Sequence, residues 1–216
     1  MPDALTQAET YMEQVGLLDA PGAVLYSAAE TLRPGPVYLL GLNPGGSGNE
    51  TLRDSIAASR RGNNAYLDEA WTPGGHTQPI GCSTLQRRIQ HLCAAMHLNT
   101  RDVPASNLVF TRSTRTGTHL NFGEALQLCR PVHDIFIGTI QPRYLMTFGS
   151  IANFREAVSI TSIEERSAEH GQWMAYRGEA RWGDHRLAFG NVPHMSLWAS
   201  DKRSHIVDWA TQVLRN

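Results

Sequence analysis

Apolar positions along the chain switch between a helical and a strand-like spacing, and the switches outline the elements. Residues 4–18, ALTQAETYMEQVGLL, repeat apolar side chains at helical spacing. Residues 36–42, PVYLLGL, form a continuous apolar run, as a strand covered on both faces requires. A long Gly-, Asn- and Ser-rich segment, 43–80, follows it. Helical spacing returns at 83–98 with Ser83 as the cap, and 105–111 is strand-like. Residues 122–140 read as a helix that must adjust at Pro131. A strand at 143–149 ends in Gly and feeds a helix at once, 150–158. Residues 172–182 suit a hairpin or part of an insertion, 185–194 a last strand and 202–214 a closing helix. Strands alternating with helices imply a mainly parallel sheet with helices on both faces. With no repeat or linker in the pattern, residues 1–216 are expected to form a single α/β domain. Ligands of such sheets bind beyond the carboxyl ends of the strands. The candidate site is therefore drawn from 43–48, 111–119, 149–150 and 194–200.

Composition narrows the setting. At 41% hydrophobic and 18% charged residues the chain can bury a core. A formal net charge of −1 gives no global reason to bind nucleic acid and leaves room for a local basic face. Cys82, Cys93 and Cys129 are odd in number and widely spaced, which favours a reducing compartment over a disulfide framework or zinc ribbon. The residues MPDALTQAETYMEQVG are not expected to act as a basic, apolar leader, and no apolar run approaches the ~20 residues of a membrane span. A cytoplasmic protein without a membrane partner is expected.

At the strand ends, GLNPGGSG (41–48) invites a phosphate-cradle reading. It lacks the GxGxxG spacing, no GK[ST] follows, and Pro44 removes an amide such a cradle would use. A plain turn would need fewer glycines and would not specify Asn43. His194, in NVPHMSLW, closes the last strand; a neutral imidazole can donate to a developing anion, and Ser196 beside it can bond a phosphate. Leu197 and Trp198 suit either a wedge into stacked bases or a lid on the core. Asn107, inside an apolar strand, needs its amide satisfied, by the fold or by the edge of a bound base. Arg112 and Arg115 among hydroxyls suit phosphate contacts or a solvated loop.

The order of these pieces, from Pro36 to Trp198, resembles the uracil-DNA glycosylase superfamily. GLNPG looks like the G-x-N-P-G water-positioning motif of its mismatch-specific and single-strand-selective branches. SNLVFTRSTRTGTHLNFGEALQLCRPVHDIFIGTIQPRYLMTFGSIA is similar in layout to the iron–sulfur branch, and HMS at 194–196 looks like its closing H-P-S motif. The resemblance implies a three-layer α/β/α sandwich around a central, mainly parallel four-stranded sheet. It implies a monomeric, monofunctional DNA glycosylase of base-excision repair. Its substrate would be uracil or a related deaminated base flipped out of single- or double-stranded DNA.

The resemblance assigns roles residue by residue. Asn43 would hold the attacking water and His194 would stabilise the departing base anion, helped by the backbone amide near Leu42. Asn107 would read the base. Ser47, Arg112 and Ser196, with Arg115, would hold the DNA backbone, and Leu197 and Trp198 would enter the stack. Departures accompany it. The cluster branch's C-x-x-C is missing and only Cys129 matches a ligand position, so neither a metal nor any other cofactor is expected. Ile80 stands where the family stacks an aromatic ring on the base, leaving Tyr66 or Trp71 to supply one. Met195 replaces the usual Pro, and segments 49–79 and 164–184 fall outside the resemblance. Two other readings stay open: a member of the fold that binds nucleic acid or a nucleotide without cleaving it, and a small-molecule enzyme whose Gly-rich loop holds a phosphate.

Overall fold

The apolar run at 36–42 becomes β1 (Val37–Gly41), buried at every position. It sits inside a sheet, as a run without polar alternation must. The computed structural model describes residues 2–46, 48–113 and 121–215. Their helices are α1 (Ala4–Gln14), α2 (Leu52–Arg60), α3 (Thr84–Ala95), α4 (Phe122–Ile140), α5 (Ile151–Ala157) and α6 (Ser204–Thr211). The remaining strands are β2 (Ala105–Asn107), β3 (Tyr144–Phe148), β4 (Ser159–Ser167), β5 (Met174–Trp182) and β6 (His185–Val192).

They form one mixed six-stranded sheet in the order β2-β1-β3-β6-β5-β4. β2, β1, β3 and β6 pair parallel, β5 adds antiparallel to β6, and β4 adds antiparallel to β5. The expectation of four strands is corrected here. The unexplained segment 164–184 belongs to a long hairpin that widens the sheet. β4 hid from the hydrophobic pattern because nearly all of it is exposed at the sheet edge.

Alternate strand residues serve two cores. Tyr38, Leu40, Leu145 and Phe189 pack with residues of α1, α2, α4 and α5. Val37, Leu39, Tyr144, Met146, Phe148 and Val192 pack with residues of α3 and α6. Helices thus cover both faces. Segment 43–80, expected as loop, contains α2, started by a capping box between Thr51 and Asp54. Ser83 caps α3 as the sequence suggests, reciprocated by Gln86. The strand expected at 105–111 pairs only over three residues, and α4 runs through Pro131 as a single helix.

One buried group makes stability sensitive to pH. His133 of α4 has no exposed surface. Its Nε2 lies 3.2 Å from the Leu108 carbonyl, which can only accept, so Nε2 carries the proton. Nδ1 then accepts from the Tyr38 hydroxyl at 3.1 Å. Burial pushes this imidazole down to about 4 from an ordinary 6.5. As pH falls, the unfolded chain takes up this proton first. The stabilisation is complete above pH 6.5, is lost progressively toward 4 and levels off below. The shift corresponds to about 3 kcal/mol. Urea midpoints measured from pH 7.5 to 4 should fall across this window, and His133→Gln should flatten that part of the curve.

Candidate functional site at the strand ends

Register brings the site together. Gly41 pairs with Asn107 across β1 and β2, and Phe148 pairs with Val192 across β3 and β6. By strand alternation, Gly41 and Asn107 belong to the α3–α6 side, with Val37, Leu39 and Ala105. A Cβ on Gly41 would collide with Asn107 Oδ1 and come 3.0 Å from Phe148 Cζ, so only glycine fits between them. Phe148 in turn meets the His194 ring edge-on, 5.7 Å between centroids. Asn107, Gly41, Phe148 and His194 therefore form one row of contacts across the ends of the four parallel strands.

His194 is held in a defined tautomer. The Ser196 backbone N–H, which can only donate, points at Nδ1 from 3.3 Å, and Ser196 Oγ lies 2.7 Å from the same atom. Nδ1 is therefore an acceptor and the ring proton sits on Nε2. Burial lowers the pKa of the imidazole, so it is neutral near pH 7. A neutral ring with Nε2–H is a hydrogen-bond donor for developing negative charge. Ser196, expected as a DNA contact, is exposed and turned toward His194 in this conformation.

Asn43 follows β1. Its Nδ2 donates to the Pro44 carbonyl at 3.0 Å and lies 3.4 Å from the Ser113 carbonyl, which fixes the orientation of the amide. Beneath the loop runs Arg112, whose side chain is 18% exposed. It donates to the Gly45 carbonyl and pairs with Glu50 at 3.3 Å. Arg112 thus shapes the loop from inside, where the sequence suggested a phosphate contact or a solvated loop. Among the described residues, a Cβ on Gly45 would meet nothing within 4 Å.

Beside Asn107 lies an aromatic cluster. Tyr26 stacks on Tyr66 at 5.5 Å, and Trp71 stands edge-on to both. Trp71 Nε1 donates to Glu69 at 2.8 Å, which fixes the indole. Burial pushes Tyr26 up to about 12, against the opposing influence of Arg112 and of a hydrogen bond from Asn107. Tyr66 is 2% exposed and is the inner member of the cluster, while Tyr26 and Trp71 are half-buried. Ile80 stands apart from this cluster: it is 62% exposed, on the turn before α3.

Trp198 is corrected as well. It has no exposed surface, and its Nε1 donates to the Ala168 carbonyl at 2.8 Å. Leu197 points outward, 67% exposed, and Leu42 is buried against Gly149 on the opposite face. Ser47 and Arg115 lie outside the described residues. Cys129 is a protonated core thiol, pushed up to about 12 by burial, and accepts from the Phe110 N–H. Among the described residues no group of three or more His, Cys, Asp or Glu side chains could hold a metal ion. Nor is any helix among them long and apolar enough to cross a membrane.

Sequence reasoning missed Phe148, Tyr26 and Glu69. Phe148 was recoverable as the last inward residue of its strand. Tyr26 carried no signal, because it lies in an irregular stretch with no periodicity.

Fold and site define a class: an α/β protein whose amide and imidazole side chains gather at the carboxyl ends of parallel strands. Comparison with known proteins adds no family to this: no family model matches the chain, and no match to a curated protein is found.

Proposed function

We propose that the protein is a DNA glycosylase that hydrolyses the N-glycosidic bond of uracil or a related deaminated base extruded from DNA. One observation carries the reading: the row of Asn107, Gly41, Phe148 and His194, with a neutral, Nε2-protonated imidazole at its end. Helices on both faces of four parallel strands fit the three-layer sandwich that this reading expects.

The residue types match the steps. Hydrolysis passes through an oxocarbenium-like sugar. The C1′–N bond breaks and its electron pair moves onto the base, where His194 Nε2–H donates to the growing charge. Water adds to C1′, oriented by the Asn43 amide, and loses a proton to solvent; the released base takes one up. Asn107, able both to donate and to accept, reads the base edge, and the Tyr26–Tyr66–Trp71 cluster supplies rings beside it. Leu197, exposed at the rim, enters the space the base vacates.

The second reading, binding without cleavage, draws on one feature. Asn107 and Phe148 occupy the space over Gly41, so a base enters only if they yield. A single assay separates the two. End-labelled oligonucleotides with one uracil, single-stranded or paired with G or A, are incubated with the protein and treated with alkali. Scission at the uracil is expected. No scission with uracil, hypoxanthine or xanthine in any pairing would overturn the glycosylase reading.

A further inference from the structure

The loop that carries His194 is pinned from α3. Arg88 Nη1 donates to the Met195 carbonyl at 2.6 Å, and Arg88 Nε lies 3.4 Å from Asp201 Oδ1. The Arg88 side chain is 17% exposed, so its charge-assisted bond to that carbonyl is largely shielded from water. The Met195 carbonyl and the Ser196 N–H belong to one peptide group. That group is planar and trans, so its C=O and N–H point in opposite directions. One end faces Arg88; the other faces His194 Nδ1 at 3.3 Å.

We propose that Arg88 is a positioning residue for His194, acting through the Met195–Ser196 peptide to keep the imidazole proton on Nε2. The cation holds the carbonyl, the rigid peptide aims its N–H at Nδ1, and Nδ1 is thereby kept an acceptor. Rotation of that peptide would present a carbonyl to Nδ1 and draw the proton onto it, leaving Nε2 unable to donate. Ser196 Oγ, 2.7 Å from Nδ1, is a second group on that atom, and Arg88 holds the peptide whose N–H is the first. The Leu197 and Trp198 amides both bond the His194 carbonyl, which fixes the turn but not the peptide between them. Asp201 completes the link by holding the guanidinium from the far end of the loop.

The kinetic consequence rests on the glycosylase reading; the tautomer does not, and the test uses both. In ¹⁵N-histidine-labelled protein near pH 7.5, His194 should show a non-protonated Nδ1 and a protonated Nε2. Arg88→Ala, or Arg88→Gln should the alanine variant not fold, should shift His194 to a tautomer mixture, while Arg88→Lys, which keeps the charge, should largely restore the wild-type signals. An unchanged His194 tautomer in folded Arg88→Ala or Arg88→Gln would overturn the proposal. In excision assays kcat should fall about tenfold or more with KM nearly constant. Combining the change with His194→Ala should add little to His194→Ala alone; additive losses would also overturn it. If the wild type cleaves no base, the glycosylase reading fails while the NMR comparison still decides the role of Arg88.

Discussion

Replacing His194 by Ala is expected to lower the single-turnover rate of base excision by about 10²–10³-fold, the usual cost of losing one preorganised donor to a developing anion. Asn43→Ala should remove most of the activity, because the attacking water then loses its guide. On the proposed reading neither change should weaken DNA binding much, since binding would draw on backbone contacts and on exposed rim residues such as Leu197. Fluorescence anisotropy with uncleaved oligonucleotide checks this, so that a lost rate is not mistaken for lost affinity. The neutral state of His194 adds a second expectation. Its pKa lies below 6.5 because burial disfavours the cation. Any loss of excision rate from protonating His194 should therefore set in at lower pH than for an ordinary surface imidazole. Full activity in both alanine variants would show that the chemistry lies elsewhere on the molecule.

Much of the frame was legible because two periods are hard to disguise. The buried runs at 36–42 and 143–149 read as strands, and Ser83 read as a cap, for reasons that survive folding. What escaped was carried by context. β4 is a polar edge strand paired on one side only, so its stability comes from β5 rather than from its own pattern. Helix α2 is short and only partly buried, and Gly-, Asn- and Ser-rich neighbours masked its capping box. The site divided in the same way. Asn43, Asn107 and His194 were singled out because strand ends are predictable places, and the fold puts each of them at or just beyond one. The bond from Arg112 to the Gly45 carbonyl was not legible, because a loop arginine carries no sign in the sequence of whether it faces a ligand, solvent or its own backbone.

Helix α3 joins the two sides of the site. Gln86, fully buried, donates to the carbonyls of Ala65 and Glu69. Gln90, one turn on, donates to those of Tyr66 and Gly81. These bonds hold the irregular segment that presents Tyr66, Glu69 and Trp71. From the same helix Arg88 holds the His194 loop. The irregular backbone around the site is thus satisfied by side chains of one rigid element, which is how loops hold functional groups in place. The amphipathic pattern of 83–98 marks a helix but does not reveal that three of its polar residues serve neighbouring loops rather than solvent.

Trp198→Ala should cost about 3–5 kcal/mol of stability, as expected for truncating a fully buried indole. For a chain of this size that lowers the melting temperature by roughly 10 °C. The reason is physical and local. Trp198 has no exposed surface and packs in the core with Met195, Ile206 and Val207. Its Nε1–H is bonded to the Ala168 carbonyl, so truncation opens a cavity and strands an acceptor. Leu197→Ala, one residue away, should change stability by no more than about 0.5 kcal/mol, because that side chain stands in solvent. In the excision assay the order should reverse. Leu197→Ala should weaken base extrusion, seen as a larger rate loss on paired than on single-stranded uracil. Trp198→Ala, assayed well below its melting temperature, should treat the two substrates alike. Thermal denaturation of the two variants beside that paired-to-single-strand ratio tests the division of labour directly. A destabilised Leu197→Ala, or a Trp198→Ala that loses paired substrate selectively, would show that the indole and not the leucine meets DNA.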